Sequence, residues 1–148
     1  MIRRIVLTLI GFIFCSLSLT QEIGDKRNIS PTISIRYDDI LSGMSPSSTI
    51  GMLLVIDDVR STGFDTTSDG SELRLLLGWN WSIIGVGTKK IELISGETET
   101  VSMYSFGAKY RVLDGMYTSL EYVMISDEDL VGHTPTEDYI RLSVGVDF

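Results

Sequence analysis

The chain has 148 residues, 43% of them apolar and 22% charged, which suits one folded domain and argues against a disordered chain. Its formal charge is −8, or −10 (−8 less 2) once Arg3 and Arg4 are set aside, and no basic cluster stands against that acid. Such a chain is poorly made for gripping nucleic acid through phosphates, so no nucleic-acid partner is expected. Its acid serves solubility or cation binding at a surface.

Residues 1–20 form a separate unit. Arg3 and Arg4 are followed by an apolar stretch over 5–14 and a small, polar exit over 16–20, the order of a secretory signal peptide. The apolar stretch is too short for a comfortable membrane span. Cleavage is expected after Thr20, with Ser18 as the other position. An uncleaved anchor and a lipid anchor on Cys15 are the alternatives, and the bulky Phe12, Ile13 and Phe14 before Cys15 disfavour the second. With Cys15 removed, no cysteine is left, and an exported chain without disulfides must obtain its stability from its sheet.

Residues 21–30 are a polar lead-in, and 31–148 form one strand-rich domain. Roughly ten-residue segments of strand composition alternate with Gly, Asp, Ser, Thr and Pro clusters, and no helical period persists. The spacing predicts strands near 31–39, 49–60, 71–81, 83–94, 100–112, 115–126 and 138–148. In the last, Ile140, Leu142, Val144, Val146 and Phe148 alternate with Tyr139, Arg141, Ser143, Gly145 and Asp147. A period of two gives a strand two different faces.

The other segments repeat that division. Ile33, Ile35 and Tyr37 oppose Arg36 and Asp38; Leu73, Leu75, Leu77, Trp79 and Trp81 oppose Glu72, Arg74, Gly78 and Asn80. Tyr104, Phe106, Ala108, Tyr110 and Val112 oppose Met103, Ser105, Gly107, Lys109 and Arg111, while Leu120, Tyr122 and Met124 oppose Ser119 and Glu121. Segment 83–94 changes phase between Val86 and Ile91, which predicts a bulge near Lys89 and Lys90. Residues 52–56 are apolar on both faces. Near-balanced charges on the polar faces suit pairing inside a narrow lumen. Periodicity does not say which face is inside, and a soluble barrel would invert the pattern. The export signal, the final Phe148 and aromatics near strand ends (Tyr37, Trp79, Trp81, Tyr104, Tyr110, Tyr117, Tyr139) favour an outward apolar face.

The run F-G-A-K-Y-R-V-L-D-G-M-Y-T-S-L-E-Y-V over 106–123 and the run L-S-V-G-V-D-F over 142–148 carry a resemblance. Together they are similar to the last three strands of small bacterial outer-membrane barrels, the transmembrane domain of outer membrane protein A and its opacity-type relatives. The resemblance covers about forty residues through Gly107, Tyr110, the Leu-Glu-Tyr of 120–122 and the Gly-containing final strand. It implies an all-β, small antiparallel up-and-down transmembrane barrel of eight strands in the bacterial outer membrane. Partners would be outer-membrane lipid, lipopolysaccharide and the barrel assembly machinery, which would read the strand ending at Phe148; the barrel would be a monomer. Seven segments are legible and such barrels have an even number. An eighth strand is therefore expected, either within 22–60 or by division of one segment. No peptidoglycan-binding domain is expected to follow, so the cell-wall role of longer relatives is not carried over.

No constellation announces chemistry, and no catalytic residue, metal or cofactor is expected. His133 sits in a loop over 127–137 and reads as a solvated residue, with Thr134-Pro135 where lipid A deacylases would want His-x-Ser. D-T-T-S-D-G over 65–70 resembles a calcium loop, but Leu76 stands where the bidentate Glu belongs, so a turn is expected. Asp57-Asp58 and Asp127-Glu128-Asp129 read as acidic strand ends. Gly85 and Gly87 precede no helix and form no phosphate cradle. The expected role is structural or adhesive. The alternative is a secreted, periplasmic, soluble β-barrel that binds a small apolar ligand inside.

Overall fold

Strands form where apolar and β-branched residues alternate between Gly, Asp and Asn turns, and their edges are all paired by closure. The computed structural model describes residues 28–43 and 45–148. The expected signal segment 1–20 and the lead-in as far as residue 27 lie outside them. Eight antiparallel strands follow in chain order: β1 (Asn28–Asp38), β2 (Ser45–Val55), β3 (Arg60–Thr67), β4 (Glu72–Trp79), β5 (Ser82–Glu92), β6 (Thr98–Leu113), β7 (Met116–Ser126) and β8 (Tyr139–Asp147). Each pairs with the next, and β8 pairs with β1, so the sheet is a closed up-and-down barrel.

One end, the turn end, gathers the start of β1, the end of β8 and the short turns 56–59, 80–81 and 114–115. Asn80 and Gly115 adopt the left-handed conformation that such tight reversals need. The other, the loop end, carries the longer connections, above all 127–138 between β7 and β8. Register can be followed around the barrel from Ser30 through Leu53, Gly63, Leu76, Gly85, Ser105, Val123 and Tyr139. Extending the β1–β8 register brings the path back at Ile40, a stagger of 40 − 30 = 10 residues. That stagger over eight strands implies a tilt of about 40° and a backbone radius of about 8 Å, an interior that side chains fill.

The faces divide as the alternation predicts, and the charged face is inside. Arg36, Arg74, Glu121 and Arg141 are at most 2% exposed, whereas Leu73, Trp79, Phe106, Leu120 and Val144 are between 43% and 65% exposed on the outer wall.

Several expectations need correction. The eighth strand is β3, and it lies mostly beyond 22–60, in the interval assigned to a turn. Its outward row is Thr62, Phe64 and Thr66, so the apolar period is almost absent. The two threonine hydroxyls instead donate to the carbonyls of Leu76 and Glu72 at 3.1 and 2.8 Å, which leaves an outer surface of methyl groups. β1 begins at Asn28, three residues before the expected boundary. Segment 83–94 has no bulge: Lys89, Lys90 and Ile91 stay in register with Val101, Thr100 and Glu99. Ile91 is apolar because it points into an apolar part of the lumen. The register shift that does occur lies between β6 and β7, at Arg111 and Leu113. Tyr117 and Tyr139 belong to the lumen rather than to an aromatic rim: Tyr139 is 8% exposed and Tyr117 packs under Lys109. In 52–56, Leu53 points inward and Met52 outward.

Candidate functional site

The lumen brings together the charged residues of β1, β3, β4, β5, β7 and β8. Arg74 is the hub of its middle layer. Its Nε and Nη2 donate to the two oxygens of Asp65 at 3.0 and 2.8 Å, and its Nη1 donates to Glu121 at 2.6 Å and to the Ser105 hydroxyl at 3.1 Å. Arg36 lies between two acids, donating to Glu72 at 2.9 Å with its other terminal nitrogen 2.6 Å from Asp65. Arg141 forks onto Asp38 and also donates to Glu72 at 2.9 Å and to the Tyr139 hydroxyl at 3.1 Å. Lys89 completes the layer, 3.0 Å from Glu72. Among the described residues, four carboxylates (Asp38, Asp65, Glu72, Glu121) thus face four cations (Arg36, Arg74, Lys89, Arg141), and their charges balance. Bidentate arginine forks suit such a place, because an uncompensated buried charge costs several kcal/mol.

Small residues make the room. A side chain at Gly85 would collide with the Ser105 hydroxyl and press on Arg74, and one at Gly145 would enter the Tyr117 ring. These inward glycines are spaces for large lumen groups.

Above the ionic layer, toward the loop end, the lumen turns apolar. Ile91, Val101, Met103, Val123, Ile125 and Tyr139 pack together, and Leu130 of the β7–β8 loop covers them. Two cavities of about 540 Å³ each flank this filling. One opens at the loop end beside Asp38, Glu72, Lys89 and Tyr139. The other opens at the turn end beside Lys109, Arg111, Tyr117 and Asp147. Among the described residues they share no lining residue, and the fully buried Arg36, Arg141, Glu121 and Met103 stand between them.

His133 is not merely solvated. Its Nε2 lies 2.8 Å from Asp127, which also accepts the amide and hydroxyl of Thr136 at 2.9 and 2.6 Å. Burial raises the Asp127 carboxyl, but the Thr136 hydroxyl and amide and then His133 outweigh it and hold the group below its ordinary value. The trio ties the loop to itself and places no nucleophile on His133. The 65–70 stretch does not converge on a cation: Asp65 points to Arg74 and Arg36, while Asp69 accepts the Ser71 amide at 2.9 Å. The Ser71 amide and hydroxyl, with Thr67, hold the Asp69 carboxyl down to about 2. Asp57 caps its own turn through Arg60 and the amides of Val59 and Arg60, and its carboxyl is lowered by them in that order, Arg60 side chain first. Phe148 continues the β8–β1 pairing by donating its amide to Pro31 and leaves its ring 72% exposed.

Two members of the ionic layer escaped sequence reading. Asp65 was hidden because its strand carries one apolar outward residue, and Lys89 because the apparent phase change blurred its face. Counting positions back from Ile91 at a period of two would have recovered Lys89. No protein-family model, curated protein or solved structure matches this chain.

Proposed function

We propose that this chain is a small outer-membrane β-barrel with a structural or surface-interaction role and no catalytic function. What supports it is the outer wall: a closed barrel that turns Ile33, Leu73, Phe106, Leu120 and Val144 outward while pairing four cations with four carboxylates inside. In water that wall leaves large apolar side chains half exposed on every side, whereas against hydrocarbon it is matched and no backbone edge is left unpaired. Lipid and lipopolysaccharide are then its surroundings, and β8 with Phe148 is the strand offered to the assembly machinery by edge addition. The barrel acts as a monomer with its turns in the periplasm and its loop end outside.

The test is partition and migration. The folded protein should require detergent or lipid for solubility and should change its gel migration on heating. Leu120→Arg sharpens this. Leu120 is 50% exposed at mid-strand, and a lipid-facing arginine there should cost about 2–4 kcal/mol on refolding into bilayers. A mature protein that is monomeric and soluble without detergent, and indifferent to Leu120→Arg, would overturn the proposal. The soluble barrel with an apolar ligand inside would then regain its place, although here the lumen at mid-height holds charge.

A further inference from the structure

The turn-end cavity contains a cation, Lys109, that no described carboxylate meets at ion-pair distance. Arg36, Arg74, Lys89 and Arg141 each have a carboxylate within 3.0 Å. At the turn end, Arg111 pairs with Asp147 at 2.9 Å and Arg60 pairs with Asp57. Lys109 also projects inward from β6 and lines the cavity, yet among the described residues no carboxylate lies within ion-pair distance of it. Its ammonium rests on the face of Tyr117, 3.9 Å from the ring centre. A cation over an aromatic ring keeps N–H donors free for another acceptor.

The remaining walls have a definite character. Leu53 and Ile83 are buried on the lumen side, and Leu76 joins them in lining the cavity. Ser30 and Ser61 line it as well. At about 540 Å³ the space falls within the range of small-molecule sites, and the ionic layer beyond it makes it a cup rather than a passage.

We infer that this cup is a binding site for a small organic monoanion with an apolar body, its carboxylate on Lys109 and its body against Leu53, Leu76 and Ile83. The chemistry selects this class. A cation would meet Lys109 and Arg111, and a neutral apolar molecule would leave the ammonium without an acceptor. A polyanion would crowd Asp147 and the rim carboxylates Asp57 and Asp58. The inference goes beyond the surface role proposed above and concerns the interior alone, so it stands whichever medium surrounds the outer wall.

Three water-soluble probes of one shape test it on the refolded full barrel: benzoate, benzyl alcohol and benzylammonium, followed by amide chemical shifts in β6 and β7. Benzoate should shift Lys109 and Tyr117 saturably, with affinity at least about tenfold above that of benzyl alcohol, and benzylammonium should not bind. Lys109→Gln should remove that tenfold preference and leave benzyl alcohol unchanged. Equal binding of benzoate and benzyl alcohol by the unmodified protein would overturn the inference, as would undiminished benzoate binding by a folded Lys109→Gln. The three-probe comparison needs no variant, so it decides the matter even if the substitution disturbs folding.

Discussion

Two adjacent layers of the same lumen are filled by opposite chemistry. The middle layer is ionic, with Arg36, Arg74 and Arg141 forked among Asp38, Asp65, Glu72 and Glu121. The layer toward the loops is apolar, with Met103 and Val123 fully buried among Ile91, Val101 and Ile125. The inward face of a barrel strand is therefore not a uniform polar stripe. β5 passes through both layers, which is why Lys89 and Ile91 share a face and why its pattern imitates a bulge. The two fillings also fail differently when damaged. A charge left without its partner cannot be relieved by local collapse, whereas an apolar cavity can partly close.

Arg74→Ala should be the most damaging single change. It leaves Asp65 and Glu121 buried with too little positive charge, and the expected loss is about 3–5 kcal/mol, read as a lower urea midpoint for refolding into micelles. Met103→Ala comes next. It removes a fully buried side chain from the apolar layer at a cost of about 2–4 kcal/mol by the same measurement. If Met103→Ala proves as costly as Arg74→Ala, ionic and apolar filling are energetically equivalent in this lumen.

The loop that covers the apolar layer should respond to acid. The Asp127 carboxyl is held lower in the folded loop than in an open chain. Its contribution is therefore complete above the ordinary carboxylate value near 3.9 and is lost as pH falls through the lower folded value. Hydrogen-exchange protection of the Thr136 amide should drop below about pH 4. Asp127→Asn should lower protection at neutral pH by about 1 kcal/mol and abolish the acid step. An acid step that persists in Asp127→Asn would assign the effect to another group.

Phe148→Ala should be mildest in vitro. Its ring is 72% exposed on the outer wall, so refolding in detergent should lose no more than about 1 kcal/mol. If β8 is the strand read in outer-membrane assembly, as proposed, assembly in cells should fall much further, measured as protein left in the periplasm. Equal losses in both settings would make Phe148 an ordinary wall residue.

The strands that sequence makes legible are those whose two faces differ in apolarity: β1, β4, β6, β7 and β8. β3 is hidden because Thr62 and Thr66 satisfy their hydroxyls on neighbouring carbonyls, a partnership visible only once β4 is alongside. The pairing of His133 with Asp127 is hidden for a related reason, since an acidic run in a loop looks the same whether its first member is solvated or 1% exposed. Tyr117 and Tyr139 were misplaced because aromatics near strand ends suit either an interface or a lumen.

By itself, the sequence determines which residues share a face, because a period of two is a property of the local extended backbone. It does not determine which face is inside, how many strands close the sheet, or which charges meet. Closure decides those. Asp38 and Arg141 are 103 positions apart and become partners because β8 pairs with β1 in one register. The stagger of that register sets a narrow lumen in which side chains from six strands meet, so tertiary structure alone turns scattered charges into a paired layer.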